Sequence, residues 1–318
     1  MVSPEISVII PTYNRCDTLS RTLTALCETQ VGMLPSWEVI VVDDGSTDDT
    51  LGLLNKLSDR YVQLLFLTQP NQKQGAARNT AMKIAQGELF VFLGDDIIPE
   101  PMFLNTHWRR YVTSGRSQTY AAIGRTCWHP EIEITPFRNW INEWGLQFGF
   151  QLISDAECVP FNFFYTSNLA FARALYDKFG GFDESFREYG WEDIELGYRY
   201  EKNGMVLRYE PGAIASHLHP ITLISFCQRQ FKVGYSSVQF YQIHPELSGF
   251  LHLRDISPVF SRMSPLLAGM AWLTEIMDTS FHLNVLILCD IVLKGYYMLG
   301  MLQAQNEIRE TLSTKRTI

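Results

Sequence analysis

The chain has 318 residues, 46% hydrophobic and 13% aromatic, which excludes a disordered protein and allows one large domain with an appendage or two domains. Its formal charge of −8 at pH 7 argues against a nucleic-acid binder, whose contact face needs a basic excess. A nucleotide held through a metal remains compatible with that charge. Residues 1–219 hold 18 Lys and Arg against 27 Asp and Glu, and residues 220–318 hold 8 against 7, so the acidity belongs to the first two-thirds. The six cysteines (Cys16, Cys27, Cys127, Cys158, Cys227, Cys289) show no CxxC pair and no zinc-finger interval with His, and read as reduced, mostly buried thiols of a cytosolic protein. The opening MVSPEISVIIPTYNR lacks a basic start and a long apolar core, which predicts no signal peptide.

In chain order, ISVIIPTYN (6–14) predicts a short buried strand closed by Pro11, and Thr18 to Glu28 a helix with Leu19, Leu23 and Leu26 on one face. WEVIVVDDGS (37–46) is a second apolar strand; a helix follows, capped by Thr47 or Asp48 and running through Leu57. VQLLFLTQ (62–69) is a third strand, GAARNTAMKIAQG (75–87) a helix closed by Gly87, and ELFVFLGDD (88–96) a fourth strand. Continuous apolar strands alternating with helices call for an α/β fold, a parallel sheet with helices on both faces. Ligands bind such sheets beyond the carboxyl ends of the strands. Three of those ends carry Thr12-Tyr13-Asn14, Asp43-Asp44 and Asp95-Asp96, so separate strands deliver polar groups to one rim.

Residues 103–170 are rich in aromatics and poor in clear periods; the aromatic stretch 128–164 reads either as core or as ring faces lining a binding site. TSNLAFA is a strand, RALYDKFGGFDE a short helix with a Gly-Gly stop, and WEDIELGYRYEKNG a helix start with Glu192 and Asp193 in its first turn and Asn203-Gly204 at its end. VLRYEPGAIASHLHP reads as two short strand pieces ending at His217 and His219. Beyond Pro220 the chain reads as helical: ITLISFCQRQFKVGYSSVQFYQ, SPLLAGMAWLTEIM and 281–302. The expected domains are therefore 1–220 and a helical C-terminal extension, 221–318.

Each polar group has a plain reading beside a chemical one. Asp95-Asp96 is either a solvated turn or an open site for Mg²⁺ or Mn²⁺, hard cations that take oxygen ligands and bridge to diphosphate. His217 and His219, two apart, would face one way in a strand, and imidazole suits Mn²⁺ better than Mg²⁺. Glu192 and Asp193 either favour a helix N-terminus electrostatically or supply a general base. Arg78 and Asn79, read as opening a helix after Gln74-Gly75, are placed to meet phosphate or a base carbonyl.

PTYNR (11–15), VVDDGSTDDT (41–50), NQKQGAARNTAM (71–82), LGDD (93–96), GWEDIELGYR (190–199) and HLHP (217–220) stand in this order, and as a set the sequence resembles family-2 glycosyltransferases over about residues 5–220. The resemblance implies a GT-A fold, a Rossmann-like, mostly parallel sheet binding a nucleotide-diphosphate sugar, with UDP the expected nucleotide and Mn²⁺ or Mg²⁺ the cofactor. Transferred residue by residue, Pro11, Thr12, Tyr13, Arg15, Asp43, Asp44, Gly75, Arg78 and Asp95 would surround the donor, Asp44 accepting from the base imide. Asp96 would ligate the metal with His217 and His219 as further candidates, and Asp193, in the Glu192-Asp193 pair, would be the base of an inverting single displacement. One departure stands out: the family's acidic motif is commonly Asp-x-Asp, and its first position here is Gly94.

The expected acceptor is a hydroxyl of a glycan or a lipid-linked saccharide, and no nucleic acid is expected as a partner. Residues 281–302 are long enough to span a bilayer, but Asp290 and Lys294 in their middle each cost about 2.5–3.5 kcal/mol at its centre. Peripheral contact through 264–302, on the inner face of the cell membrane of a cytoplasmic protein, is the expected alternative to burial. The rival readings are a sugar-phosphate nucleotidyltransferase, which would want a Gly-rich basic loop where PTYNRCDTL stands, and a non-catalytic nucleotide-sugar binder.

Overall fold

A computed structural model describes residues 3–186, 188–251, 253, 256–281 and 285–316. The chain begins with β1 (Ile6–Thr12), α1 (Cys16–Glu28), β2 (Trp37–Asp43), α2 (Thr50–Arg60), β3 (Leu64–Thr68), α3 (Lys73–Ile84) and β4 (Leu89–Leu93). These are the strand–helix alternations expected from the apolar runs. After them come β5 (Ile97–Pro99), α4 (Phe103–Thr113), β6 (Tyr120–Trp128), α5 (Pro136–Glu143), β7 (Asn168–Ala172), α6 (Arg173–Phe179), α7 (Glu192–Lys202) and β8 (Val206–His217). Three helices close the described chain: α8 (Leu223–Ile243), α9 (Ser264–Phe281) and α10 (Leu286–Arg316).

The eight strands form one sheet in the order β3-β2-β1-β4-β7-β6-β8-β5. β1 to β4 run parallel where they pair, as does β6 with β8, whereas β7 is antiparallel to both β4 and β6, and β5 to β8. Alternation along each strand sorts side chains to two cores. Ile6, Val8 and Ile10 of β1 face Leu19, Leu23 and Leu26 of α1 and Phe103, Leu104 and Trp108 of α4. Ile9 looks the other way, into Ala77, Ala81 and Met82 of α3 and Leu196 and Tyr200 of α7. All five residues of β4 are buried, each large apolar side chain contributing about 1.5–3 kcal/mol. At the amino ends of the strands Ser7 donates to Glu38 (2.6 Å), and Glu38 also accepts from the Gln86 amide (2.7 Å), so the buried acid is matched by donors.

Several local expectations are corrected. β8 is one strand of 12 residues, not two; its pairing with β6 slips at Gly124/Arg125, where β6 jumps from Glu210 to Ile214, and that irregularity absorbs the Pro211-Gly212 break. α2 starts at Thr50 behind Asp49, because the Asp48 carboxylate takes the Thr50 amide (3.1 Å) and hydroxyl (2.6 Å) in a turn of its own. α3 starts at Lys73, so Arg78 and Asn79 do not open it. The helix expected at 281–302 is α10, from Leu286 through Arg316; residues 282–284 lie outside the described ones. Only Cys227 and Cys289 are buried; Cys16, Cys27 and Cys127 are half-buried and Cys158 is exposed.

The chain divides into two compact units. The first comprises residues up to Ile132, Phe150–Ser185 and Asp193–His219; the second comprises Glu133–Gly149, Phe186–Glu192 and the chain from Pro220 on. The first contains the whole sheet. In the second, α8 and α10 meet backbone to backbone: a methyl group built on Gly300 would lie 1.9 Å from the Phe231 carbonyl oxygen, and one on Gly234 2.0 Å from that of Tyr297.

Candidate active site

Parallel pairing puts the carboxyl ends of β1, β2 and β4 side by side. Thr12 registers with Asp43, and the Asp44 amide donates to the Thr12 carbonyl (2.9 Å). The end of β3 joins them through the Gln69 amide, which donates to the Asp43 carbonyl (3.0 Å). Asp43 and Asp44 are each 3% exposed, and a carboxylate so placed needs donors. Asp43 receives the Ser46 amide (3.0 Å). Asp44 receives three donors, the Gln69 side-chain amide (2.8 Å) and the Gln72 amide (2.9 Å) on Oδ1 and the Lys73 amide (2.8 Å) on Oδ2. The Lys73 backbone is left-handed (φ 74°), a conformation costly for a residue with a Cβ, and it is this turn that aims the Gln72 and Lys73 amides at Asp44. Pro11 is half-buried inside β1, Gly75 is buried in the first turn of α3, and Tyr13 carries an exposed ring (46%) just past β1.

Past β4, Gly94 leads into the acid pair. A methyl group on Gly94 would meet the Ile97 side chain at 2.8 Å and Asp96 Oδ1 at 3.2 Å, so the acid that the family motif has there would require the Ile97 side chain to shift. Asp95 accepts from the Thr12 hydroxyl (2.8 Å), and its carbonyl from the Thr22 hydroxyl (3.1 Å). Burial, and then the neighbouring Asp96 charge, push the Asp95 carboxyl up to about 7. Asp96 lies 3.7 Å from His217 Nε2 and 3.9 Å from an Arg15 nitrogen, and its carbonyl receives the Leu218 amide (2.9 Å). β5–β8 pairing, with Ile97 opposite His217, brings these chain-distant residues together. Arg15 also stands 2.8 Å from His219 Nδ1. A guanidinium only donates, so His219 accepts there and, when neutral, carries its proton on Nε2. Burial, then Arg15, lowers the His219 pKa. Among the described residues no group of three or more His, Cys, Asp or Glu side chains is arranged to hold a metal ion.

Asp193 is reached through β7. That strand pairs antiparallel with β4, Asn168 opposite Leu93, and the Gly94 amide donates to the Ser167 carbonyl (3.4 Å). The preceding residue, Thr166, donates both its amide and its hydroxyl to Asp193 Oδ2 (3.4 Å each). Two consecutive residues at β7's entry thus reach Gly94, next to the acid pair, and Asp193. Glu192 is buried and accepts from the Gly190 amide (3.2 Å), an arrangement that makes it a holder of its own loop. Arg78 is buried in the second turn of α3, its guanidinium 5.4 Å from the centre of the Phe182 ring. The reading from sequence passed over Thr166, Gln69, Gln72 and Lys73, which fix Asp193 and Asp44. A Thr before an apolar strand and a Gln-rich loop are too common to single out; only the pairing of distant strands reveals them.

Similarity to known proteins agrees with this geometry. Among solved structures, the mannosyltransferase PcManGT from Pyrobaculum calidifontis in complex with GDP-Man and Mn²⁺ superposes with a TM-score of 0.57 at 18% identity, covering 95% of this chain and 86% of that one. S. aureus TarS 1-349 gives 0.54 at 18%, covering 96% and 92%. The fold is that of GT-A glycosyltransferases. The chain belongs to glycosyl transferase family 2, whose model matches residues 7–180; a second model, the N-terminal domain of galactosyltransferase, matches residues 158–220. Among curated relatives, validoxylamine A glucosyltransferase of Streptomyces hygroscopicus subsp. jinggangensis is 31% identical over 225 residues, 64% of this chain and 52% of that protein. Chondroitin synthase of Escherichia coli is 28% identical over 247 residues, 68% and 35%. The match thus spans about half the length of the first relative and a third of the second.

Proposed function

We propose that this chain is an inverting glycosyltransferase that moves a sugar from a nucleotide-diphosphate donor, a UDP-sugar first among the candidates, to a hydroxyl of a glycan or lipid-linked saccharide. The observation that carries the reading is the rim itself, where Thr12, Asp43-Asp44 and Asp95-Asp96 stand at the ends of three parallel strands, with Asp193 held by Thr166 at the entry of β7, the strand that pairs with β4. Residues 1–220 form the donor-binding catalytic domain in this reading and 221–318 its helical extension.

The acid pair fits a divalent cation. Two adjacent carboxylates, one pushed toward neutrality by burial and by the other, would be relieved by a nearby cation. Mg²⁺ and Mn²⁺ complete their shells with water and substrate phosphate, so a few protein donors suffice. Asp96 and His217 would hold the ion, with Asp95 beside them. When bound, the ion neutralises charge growing on the departing diphosphate.

The chain's own residues do the rest. Tyr13 offers a ring for the nucleoside base, and Asp44, fixed by the Gln69–Lys73 turn, keeps an acceptor position on Oδ2 for a donor on that base. Arg15, a fixed cation beside Asp96, meets diphosphate oxygens. Asp193 takes the proton of the acceptor hydroxyl as its oxygen attacks the anomeric carbon from the face opposite the diphosphate, and one such displacement inverts that centre. Asp193→Asn tests the assignment. Turnover should fall by about 10²–10⁴ with donor affinity within two-fold of wild type, read by hydrolysis and transfer assays on a panel of nucleotide-sugars with Mn²⁺ or Mg²⁺. Unchanged turnover, or no turnover of any nucleotide-sugar by wild type, sinks the reading in favour of a binding protein.

We assign the protein to the cytoplasm with peripheral contact on the inner membrane face through 264–302. Exposed Leu266, Trp272, Leu273, Ile287 and Ile291 support this, as does the apolar stretch Leu286–Thr311, which is long enough to cross a bilayer by length and composition. The Lys294–Asp290 ion pair (2.6 Å) sits within that stretch. Flotation of the full chain with anionic vesicles tests it; absence of the protein from the floating fraction refutes it.

A further inference from the structure

Among the described residues of the second unit, Arg229 has an aromatic rather than an acidic setting. Arg229, on α8, lies with its guanidinium carbon 4.9 Å from the centre of the Tyr189 ring and 5.1 Å from that of Phe226. Its Nη1 donates to Gln147 Oε1, and its Nε is buried without a hydrogen-bond partner. Among the described residues no carboxylate stands within ion-pair distance of it, although the neighbouring Lys232 takes Glu188 at 3.7 Å. A guanidinium packed near two aromatic rings keeps a fork of N–H donors suited to oxyanions. Its buried Nε lacks a hydrogen-bond partner and its exposed edge is open to a ligand.

Its surroundings suit a saccharide. Tyr189 is 40% exposed, and Trp144, on the same turn at the end of α5 as Gln147, is 69% exposed. Aromatic faces of this kind stack on sugar rings. Tyr189 also belongs to a loop gripped by α8. The Trp191 indole donates to the Val233 carbonyl (2.9 Å), and the Ser236 hydroxyl donates to the carbonyl of Glu188 (3.3 Å). Gly190 packs so closely on Val233 that a methyl group would lie 2.9 Å from its side chain, at a backbone angle (φ 138°) open to glycine alone. That loop runs directly into Asp193, four residues past Tyr189.

We propose that Arg229, with Tyr189 and Gln147, forms an acceptor subsite that takes an oxyanion, a phosphate or a uronate carboxylate, carried by the saccharide that receives the sugar. The proposal rests on the glycosyltransferase reading for its word acceptor, and the test separates the two. The full chain and its Arg229→Gln and Arg229→Lys variants are titrated calorimetrically with glycerol 3-phosphate and with D-glucuronate, using glycerol and D-glucose as neutral controls. UDP binding reports the state of the donor site, and nucleotide-sugar turnover is read alongside.

Wild type should bind at least one of the anions and neither neutral compound. R229Q should lose that binding ten-fold or more, R229K should fall between, and UDP affinity should stay within two-fold in both. Whichever of the two anions binds more tightly identifies the class of acceptor. Equal anion binding by R229Q and wild type overturns the subsite, as does wild-type binding of glycerol or glucose as tight as that of the anions, or a parallel loss of UDP affinity in R229Q. Arg229-dependent anion binding with no nucleotide-sugar turnover would leave the oxyanion site standing and remove the transferase reading. Turnover with Arg229-independent anion binding would do the reverse.

Discussion

Asp44 offers the sharpest check on how the donor rim is built. Its carboxylate accepts from the Gln69 side chain and the Gln72 amide on one oxygen and from the Lys73 amide on the other, all at 2.8–2.9 Å and nearly out of water. Asp44→Asn keeps the first oxygen but turns an NH₂ toward the Lys73 N–H, donor against donor. A hydrogen bond to a charged group contributes about 1.5–3 kcal/mol, and a buried donor left unsatisfied costs about 1–3. These terms overlap, and the two surviving bonds also lose their charge, so D44N should destabilise the protein by about 2–4 kcal/mol. Urea denaturation at pH 7 reads this as a lower midpoint at unchanged slope. The loop of the proposed base site would loosen too, so nucleotide affinity should fall together with stability. A variant within about 0.5 kcal/mol of wild type that has nevertheless lost nucleotide binding would refute the reasoning. The carboxylate would then be reserved for the ligand rather than spent on its own loop.

Other expectations concern protonation and packing. His107 is fully buried, 2.9 Å from Asn168 Oδ1, and burial holds its pKa down to about 4 from 6.5. A depressed pKa gives stability that is complete above 6.5 and is lost as pH falls toward 4, about 3 kcal/mol in all; the stability of His107→Gln relative to wild type should therefore improve by most of that between pH 7 and pH 4, and a flat difference in urea midpoints would contradict it. Asp95, raised to about 7, should release a proton when a divalent cation binds, so Mn²⁺ titrations at pH 7 in buffers of different ionisation enthalpy should report about half a proton per site, and none at pH 9. Gly300→Ala puts a methyl group against the Phe231 carbonyl and should cost about 1–3 kcal/mol by forcing α8 and α10 apart, whereas Gly269→Ala on α9, with nothing within 4 Å, should gain about 0.5–1 kcal/mol in helix propensity; thermal melts separate the two.

The parallel half of the fold was legible because a strand buried on both faces can only be written as a continuous apolar run. IVV of β2 and LFVFL of β4 leave no alternative once turn residues bracket them. The antiparallel half was not, since β7 reads like any apolar strand and nothing local says that it runs against β4. Where the expected breaks failed, side chains had overridden backbone propensity. Pro211-Gly212 interrupts β8 by chemistry, yet β6 tolerates the slip. Thr47 and Asp48 are both good caps, and Asp48 uses its carboxylate one turn early, which moves the start of α2 to Thr50.

For the site, strand ends were readable and supports were not. Thr12, Asp43-Asp44 and Asp95-Asp96 follow from where apolar runs stop, and His217 and His219 from a spacing of two. What holds them comes from far along the chain: Arg15 meets His219 across 204 residues and Thr12 meets Asp95 across 83. Such pairs leave no periodic trace. The Gly94 departure shows the same thing from the other side. Read alone, it removes a carboxylate and weakens a metal site. In place, Asp95 accepts from Thr12 while Asp96 lies beside His217, so the acid pair is divided between a group tied to β1 and one facing the imidazole. A side chain at 94 would have to displace Ile97, whose pairing with His217 is what brings the imidazole to Asp96. An acid restored at 94 must first move the Ile97 side chain, while the backbone pairing of Ile97 with His217 keeps the imidazole in place.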